Sequence, residues 1–342
     1  MGLDLKQYPF DADEELKDVG MYKAIPRPYG GAAAPVRKFN TPITPKENFK
    51  RVCHHEMPLW MMNLNQDFNF IQPILMPDAH ERAFGGTDWF GIQWTYEPLT
   101  RAAMVTPGTR RLSDITRWKE ELLPVWPDLK AIDWKKDYEE NYAPVLDPDS
   151  FEDTFCYLLE EPEAIEEFYN KLDEFHIGLL KIAKEVYHAD VITFHDDMGS
   201  QQNAFMSPET FREILLPHYK KFNQAAHDMG LYVNLHSCGN VGKQIPGFIE
   251  AGFDFWEGQD NCNDKQAIMD EYGDKLGQIS VFQVLPADLP QEEFEKAVQE
   301  RVCGLGKTGR YIAFYAEVNP ERSPGGAELI YTYSRKLYCG EK

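Results

Sequence analysis

The chain has 342 residues, of which 43% are hydrophobic, and a chain of this size can bury a large core within one domain. Its 56 acidic residues outnumber its 35 basic ones and give a formal charge of −21 at pH 7. Such a charge repels phosphate backbones and anionic lipid surfaces, which argues against nucleic acid and membranes as partners.

The N-terminal residues are polar and acidic, and they lack the basic start and the apolar stretch of a signal peptide. Nowhere does the sequence contain a run of about 20 apolar residues, the length that spans a bilayer. We therefore expect a cytoplasmic protein. The six cysteines are scattered through the chain. In a reducing compartment they are expected to be buried residues, metal ligands or catalytic groups rather than disulfides.

Residues 1–45 are rich in Pro, Gly and Ala, which predicts an irregular N-terminal extension that covers the following domain. From residue 46 onwards, short apolar runs with strand character alternate with helix-like stretches. The predicted strands lie in the runs MPLWMMNL (57–64), DWFGIQW (88–94), DVITFHD (190–196), LYVNLHS (231–237), FDFWEG (253–258), QISVFQV (278–284) and YIAFYAEV (311–318). The clearest predicted helices are 162–187, 207–230 and 290–307. Ser207, which is followed by Pro208, has the pattern of a helix N-cap.

This regular alternation of strand and helix favours an α/β fold with a parallel sheet and right-handed crossovers. Eight such units close into a (β/α)8 TIM barrel, and we predict one such domain over residues 46–342. The eighth strand is expected within 140–160, where the pattern is weakest. An open doubly wound sheet is the alternative, but no glycine-rich phosphate loop follows any predicted strand.

The active site of a TIM barrel lies at the carboxyl ends of its strands, and in this sequence those ends are polar. His236 and Cys238 follow the LYVNL run. Because they are two residues apart, a regular strand points both side chains to one face. An imidazole beside a thiolate suits zinc. The alternative is a buried histidine next to a small buried cysteine.

Asp196 and Asp197 follow the DVITF run. Adjacent residues of a strand point to opposite faces, so only one of these carboxylates can face the barrel mouth. We regard both as candidate catalytic acids, the alternative being a solvated turn. His195, Gln259 and Asp88 stand at or beside other ends of predicted strands and are candidate substrate-binding residues.

The segment FHDDMGSQ…SPETFREILLPHYKKFNQAAHDMGLYVNLHSCGNV…IPGFIEAGFDFWEGQ resembles the uroporphyrinogen decarboxylase superfamily. The resemblance is strong over 190–260 and looser over 45–100 and 275–338. It implies a TIM barrel and an enzyme. The superfamily includes the decarboxylases of haem synthesis, zinc-dependent methylcobamide:coenzyme M methyltransferases, and the methyltransferases that begin anaerobic O-demethylation of methoxylated aromatics.

The decarboxylase branch of this superfamily fits the chain least well. Its arginine-rich segment around the first strand, which holds the carboxylates of the substrate, is replaced here by MPLWMMNLNQDF. No arginine stands between Arg51 and Arg82. A net charge of −21 is also poorly suited to a porphyrinogen that carries many carboxylates.

The methyltransferase branch binds zinc through a His-x-Cys at a strand end, which His236 and Cys238 match, and through a further cysteine after the last strand. At that place this chain reads YAEVNPERSPGG, so the resemblance leaves Glu317 or Cys262 as the third ligand. A carboxylate in place of a thiolate makes the ion a stronger Lewis acid. Such an ion is better matched to polarising an ether oxygen than to activating a thiol.

The resemblance thus implies transfer of a methyl group from a methoxylated aromatic, or a similar donor, to the cob(I)alamin of a separate corrinoid protein. Cobalamin is expected from a partner because the chain has no D-x-H-x-x-G cobalt-binding segment, and DAHERA (78–83) lacks the glycine. The alternatives are a zinc-dependent methylcobamide:thiol methyltransferase, a decarboxylase-like enzyme and a noncatalytic ligand-binding barrel. The oligomeric state stays open, with a homodimer among the alternatives.

Overall fold

A computed structural model describes most of the chain. The described residues are 5–23, 25, 36–71, 79–88, 90–98, 102–109, 111–112, 114–146, 151–157, 163–258, 262–282, 285–317 and 319–340. Among the helices of these ranges, none is both long enough and apolar enough to cross a membrane.

Within the described ranges the chain forms ten strands. They are β1 (Phe68–Phe70), β2 (Gly86–Thr87), β3 (Gln93–Glu97), β4 (Ala102–Val105), β5 (Phe151–Tyr157), β6 (Val191–His195), β7 (Tyr232–His236), β8 (Phe255–Glu257), β9 (Gly277–Val281) and β10 (Tyr311–Phe314). Strands β1 and β5 to β10 make one sheet, in which each pair of neighbours is parallel. Strands β2, β3 and β4 form a separate antiparallel sheet.

The parallel sheet closes into a barrel through the segment just before β1. Asn63 forms a parallel bridge with Ala313 of β10, and the Ala313 N–H donates to the Met62 carbonyl over 2.8 Å. A one-turn helix, Leu64–Asp67, then leads into β1, which pairs with β5. The predicted TIM-barrel fold is confirmed. The described residues supply it with seven strands and this bridging segment rather than with eight regular strands.

The strand predictions succeed in the second half of the chain and fail near its start. Strand β5 lies within 140–160, where the sequence predicts the eighth strand, and this prediction is confirmed. The prediction that DWFGIQW (88–94) is a barrel strand is wrong, because its last two residues begin β3 of the antiparallel sheet. An alternating apolar pattern is common to strands of both kinds of sheet, so it does not tell them apart. Strand β1 lies where no strand is predicted.

Helices alternate with the strands around the barrel. The described α-helices are α1 (Ala12–Glu15), α2 (Pro45–Cys53), α3 (Leu64–Asp67), α4 (Ala79–Phe84), α5 (Trp118–Glu121), α6 (Trp134–Asp137), α7 (Glu163–Glu185), α8 (Pro208–Ile214), α9 (Leu216–Asp228), α10 (Ile245–Ala251), α11 (Lys265–Tyr272), α12 (Gln291–Leu305) and α13 (Gly326–Cys339). Short 3-10 helices span Leu5–Gln7, Ile115–Arg117, Leu123–Val125, Leu129–Ala131, Gly242–Gln244 and Gly306–Thr308, and a π-helix spans Tyr138–Tyr142.

Two of the predicted helices appear as single helices, α7 and α12, whereas the third, 207–230, is divided into α8 and α9. Its predicted start is confirmed, since the Ser207 side chain accepts a backbone N–H from the first turn of α8. The division follows from Pro217, which has no N–H to donate to the Glu213 carbonyl and whose ring crowds that carbonyl.

The interior of the barrel is polar near the carboxyl ends of the strands. Thr193 of β6 and Asn234 of β7 are fully buried, and Asn234 Nδ2 donates to Thr193 Oγ1 over 3.2 Å. Because side chains alternate along a strand, His195 and His236, each two residues further on, point to the same interior. A polar floor therefore lies beneath the strand ends at which TIM barrels carry out their chemistry.

A buried ion pair ties the N-terminal segment to α13. Arg335 is fully buried, and its Nε and Nη2 donate to Glu15 Oε2 and Oε1, each over 2.7 Å. The Tyr331 hydroxyl donates to the same carboxylate over 2.6 Å. Because each charge has its partner inside the protein, the segment is fixed to the C-terminal helix.

Candidate metal centre

Strands β6 and β7 end side by side in two histidines. The strand register pairs His195 with His236, and their rings stack with centroids 4.2 Å apart and planes 13° from parallel. His195 is buried, whereas His236 is partly exposed. The His-x-Cys pair therefore has a second imidazole packed against it from the neighbouring strand.

His236, Cys238 and Asp197 form a group of three potential metal ligands. His236 Nε2 lies 3.2 Å from Cys238 Sγ and 3.6 Å from Asp197 Oδ1, and one ligand atom from each residue lies within 4.8 Å of the other two. The Asp197 carboxylate also accepts the Cys238 backbone N–H over 2.8 Å. Imidazole nitrogen, thiolate sulfur and carboxylate oxygen are the ligands that zinc takes in proteins, and three such ligands leave one position for a substrate. This donor set fits a catalytic zinc ion.

Glu257, the last residue of β8, holds His236 from its other side. Glu257 Oε1 lies 3.0 Å from His236 Nδ1, and Glu257 Oε2 accepts from Asn234 Nδ2 over 3.3 Å. A carboxylate at Nδ1 fixes the tautomer that leaves Nε2 for a metal ion. Glu257 is not among the predicted site residues. Its signal is tertiary, since the register of β7 and β8 sets it opposite His236.

These neighbours also set the charge of His236. Burial by itself lowers the pKa of His236, but its hydrogen bonds with Cys238 and Glu257, and the negative charges of both groups, outweigh burial and raise the pKa to about 10. This raised pKa favours the protonated imidazole of His236 next to the Glu257 carboxylate. A divalent cation can replace this proton, because a metal ion and a proton compete for the same nitrogen.

The loop after β7 turns tightly because two glycines meet there. Gly239 has a φ of 86°, in the left-handed region that favours glycine. A Cβ at this position would lie 2.1 Å from the Gly199 carbonyl oxygen. Nearby, Ser237 Oγ accepts the Met198 N–H over 3.0 Å. The loop that carries the thiol is thus packed closely against the loop that carries the carboxylate.

Asp196 points away from the metal-ligand group. It is buried and accepts a hydrogen bond from the Tyr219 hydroxyl of α9, whereas Asp197 is exposed and bonds to the loop of Cys238. The two adjacent aspartates therefore point to opposite sides of the strand end. Of the two candidate acids, the structure brings only Asp197 to the group.

Asp197, rather than Glu317 or Cys262, completes this group. Glu317 is exposed, and its Oε2 accepts the Gly326 N–H at the start of α13 over 2.7 Å. Cys262 lies in the loop after β8, where burial and the negative charge of Cys238 raise the pKa of its thiol. This second thiol thus neighbours the group without being part of it.

The two remaining predicted residues are Asp88 and Gln259. Asp88 lies in the turn between β2 and β3, where its carboxylate accepts the Ile92 N–H over 2.9 Å and the Trp94 indole N–H over 3.0 Å. Asp88 therefore belongs to a turn of the antiparallel sheet and not to the end of a barrel strand. Gln259 lies outside the described residues.

Comparison with known proteins agrees with the predicted fold and finds a family similar to part of the chain. Residues 148–316 match the family model "Uroporphyrinogen decarboxylase (URO-D)", and the ligand group lies within this matched part of the chain. A solved methyltransferase from Methanosarcina mazei is similar with a TM-score of 0.51 at 16% identity, over 86% of this chain and 99% of that one. This likeness supports the TIM barrel.

A sugar phosphate isomerase/epimerase from Parabacteroides distasonis is similar with a TM-score of 0.38 at 12% identity, over 60% of this chain and 75% of that one. That likeness is too weak to add to the fold assignment. No curated protein matches the sequence.

Proposed function

We propose that this chain, whose residues 148–316 are similar to the URO-D family, is a metal-dependent methyltransferase. It moves a methyl group from a methoxylated aromatic compound, or a similar methyl donor, to the cob(I)alamin of a separate corrinoid protein. His236, Cys238 and Asp197 hold the metal ion in this proposal, and Glu257 positions His236.

The observation that carries the proposal is the group of three ligands at the carboxyl ends of β6 and β7. This end of the strands is the mouth of the barrel, where TIM-barrel enzymes bind their substrates. Asp197 is the exposed member of the group and lies on the side open to solvent. One similar solved structure is that of a methyltransferase, which agrees with this choice of chemistry.

Removal of a methyl group from an aryl ether requires help for the leaving oxygen. The bond between the methyl carbon and the ether oxygen breaks with its electron pair going to oxygen, while the methyl carbon forms a bond to the cobalt of cob(I)alamin. A zinc ion held by His236, Cys238 and Asp197 would act as a Lewis acid on that oxygen. Within the chain, Glu257 keeps His236 oriented, and the buried His195 ring excludes water from one face of the His236 ring.

Decarboxylation of a porphyrinogen is less well supported by the same site. Asp197 and Glu257 add negative charge at the end of the barrel where the carboxylates of such a substrate would bind. The first predicted strand offers no arginine to compensate. The charge distribution therefore favours a neutral donor such as an aryl methyl ether.

An anaerobic methylation assay tests the proposal. Zinc-loaded protein is incubated with cob(I)alamin and a series of methoxybenzenes, and formation of methylcob(III)alamin is followed by absorbance. We expect protein-dependent methylation that is lost in a Cys238→Ser variant and kept in Cys303→Ser, whose exposed thiol lies on α12.

The same assay separates the alternatives. Transfer only from methylcob(III)alamin to an added thiol would reverse the direction of the reaction and favour a methylcobamide:thiol methyltransferase. Absence of bound metal, together with no transfer in either direction, would favour a noncatalytic ligand-binding barrel.

A further inference from the structure

The loop that carries Cys238 leaves the sheet at the end of β7. The Ser237 N–H donates to the Glu257 carbonyl over 3.0 Å, and Cys238 and Gly239 follow beyond the end of the strand. The positions of Cys238 and Gly239 then depend on contacts from outside the sheet. Such contacts matter for a metal site, because the thiol must meet His236 and Asp197 at one point.

Asn263 contacts this loop at two points. Its Nδ2 donates to the Gly239 carbonyl over 2.8 Å, and its Oδ1 accepts the Val241 N–H over 3.2 Å. The side chain is only 8% exposed, so both bonds form away from competing water. Two bonds from one planar amide limit both the distance and the rotation of the backbone that directly follows Cys238.

The residues that follow Asn263 are held by hydrogen bonds at the start of α11. The next residue, Asp264, caps α11 by accepting the Ala267 N–H over 3.0 Å. Lys265 is buried, and its Nζ donates to the Val281 carbonyl at the end of β9 over 3.0 Å. These bonds fix the start of α11 to the barrel wall. Asn263 therefore holds the loop at a defined position relative to the barrel.

The opposite side of the loop is held by the segment after β6. The Cys238 N–H donates to Asp197, and the Asn240 N–H donates to the Ser200 carbonyl over 2.7 Å. The loop is thus fixed between this segment and Asn263. Removing the Asn263 side chain would release one side of the loop.

We propose that Asn263 is a positioning residue for the metal-binding thiol: it sets where Cys238 lies relative to His236 and Asp197 without touching the metal ion. The inference rests on the metal site of the proposed function. Substitution of a residue that orients a metal ligand typically lowers metal affinity by about 10- to 100-fold. We expect an Asn263→Ala variant to bind zinc and Co(II) more weakly by a factor in that range.

Metal titration of purified variants tests this role. Zinc affinity is measured by competition with a chromophoric chelator, and Co(II) binding by its thiolate-to-cobalt absorption band. Asn223→Ala is the matched control, because Asn223 is 1% exposed and its Nδ2 donates to the Ala251 carbonyl over 2.8 Å. Both variants should lose thermal stability, but only Asn263→Ala should lose metal affinity and show a changed cobalt band.

The outcomes separate this inference from the proposed function. Equal metal affinity in Asn263→Ala and the unmodified protein overturns the positioning role and leaves the metal site standing. If the unmodified protein binds zinc no better than a His236→Ala variant, both proposals fail.

Should Asn263→Ala not fold, Asn263→Asp replaces it. This side chain has the same shape and can still accept from Val241, but its carboxylate cannot donate to Gly239. Weaker metal binding by that variant supports the inference, and unchanged or tighter binding overturns it.

Discussion

Glu257 Oε1 lies 3.0 Å from His236 Nδ1, so the carboxylate at the end of β8 determines which nitrogen of the imidazole faces the barrel mouth. The other nitrogen, Nε2, lies 3.2 Å from Cys238 Sγ. A histidine that ligates a metal usually donates its second N–H to such a carboxylate, which fixes the tautomer and the ring orientation. The pair is therefore arranged as in a metal site.

A Glu257→Gln substitution tests this arrangement. The neutral amide is a poorer acceptor for the Nδ1 proton, so the ring should be less basic and less firmly oriented, and we expect zinc affinity to fall by about tenfold or more. Competition with a chelator measures the effect. Glu250→Gln is the control, because this exposed carboxylate pairs with Arg212 and Lys220 on the surface. Equal affinities in the two variants would show that Glu257 does not act on the metal site.

The contact of Gly239 with Gly199 gives a second prediction. Gly239→Ala and Gly230→Ala both place alanine at a positive φ, which costs roughly 1 kcal/mol in either case. Only at Gly239 would the new Cβ also meet backbone atoms, 2.1 Å away at Gly199, whereas nothing lies within 4 Å at Gly230. We expect Gly239→Ala to lower the melting temperature further and to abolish tight zinc binding. Retention of wild-type metal affinity by Gly239→Ala would contradict the proposed packing of the two loops.

The sequence predicts those parts of the site that depend on neighbours along one strand. His236 and Cys238 are two residues apart at the end of a strongly patterned strand, so their shared direction can be inferred from spacing. The opposite directions of Asp196 and Asp197 follow from the same rule. The contribution of Glu257 cannot be inferred in this way, because it depends on the register of β8 against β7.

In the fold, too, contacts between distant parts of the chain cannot be inferred from local sequence patterns. An alternating run such as 88–94 predicts a strand but not the sheet to which it belongs, and it lies partly in the antiparallel sheet. Closure of the barrel at Asn63 depends on a single bridge to Ala313 of β10. No local pattern encodes a contact between residues so distant in sequence.

A buried carboxylate near this closure makes stability depend on pH. Asp67 accepts the Asn63 N–H over 2.8 Å, and burial raises the pKa of Asp67 from 3.8 to about 7. At a pH between these two pKa values, the Asp67 carboxyl is protonated in the folded protein and ionised in the unfolded chain. The free energy of unfolding therefore falls as the pH rises through this window, by an amount on the order of a few kcal/mol.

Asp67→Asn should remove this dependence, because the amide has the shape of the neutral acid and does not ionise. Urea denaturation at about pH 5 and about pH 8 measures the free energy of unfolding of both proteins under the two conditions. We expect the unmodified protein to lose more stability than the variant between the two conditions, so that the variant is the more stable protein at the higher pH. Parallel pH profiles would show that Asp67 is ionised in the folded protein throughout this range.

The ion pair between Glu15 and Arg335 gives the last prediction. Glu15→Ala would leave the fully buried guanidinium without its carboxylate, and breaking a buried pair in this way costs about 3–5 kcal/mol. Glu14→Ala is the control, since Glu14 is exposed and pairs with Lys17 at the surface, so its loss should change stability little.

Urea denaturation of the two variants measures the difference, and zinc titration should show unchanged affinity in both. A double variant, Glu15→Leu with Arg335→Met, should recover much of the lost stability, because it replaces the unpaired charge with apolar groups of similar volume. If Glu15→Ala and Glu14→Ala unfold at the same urea concentration, the ion pair does not hold the N-terminal segment to α13.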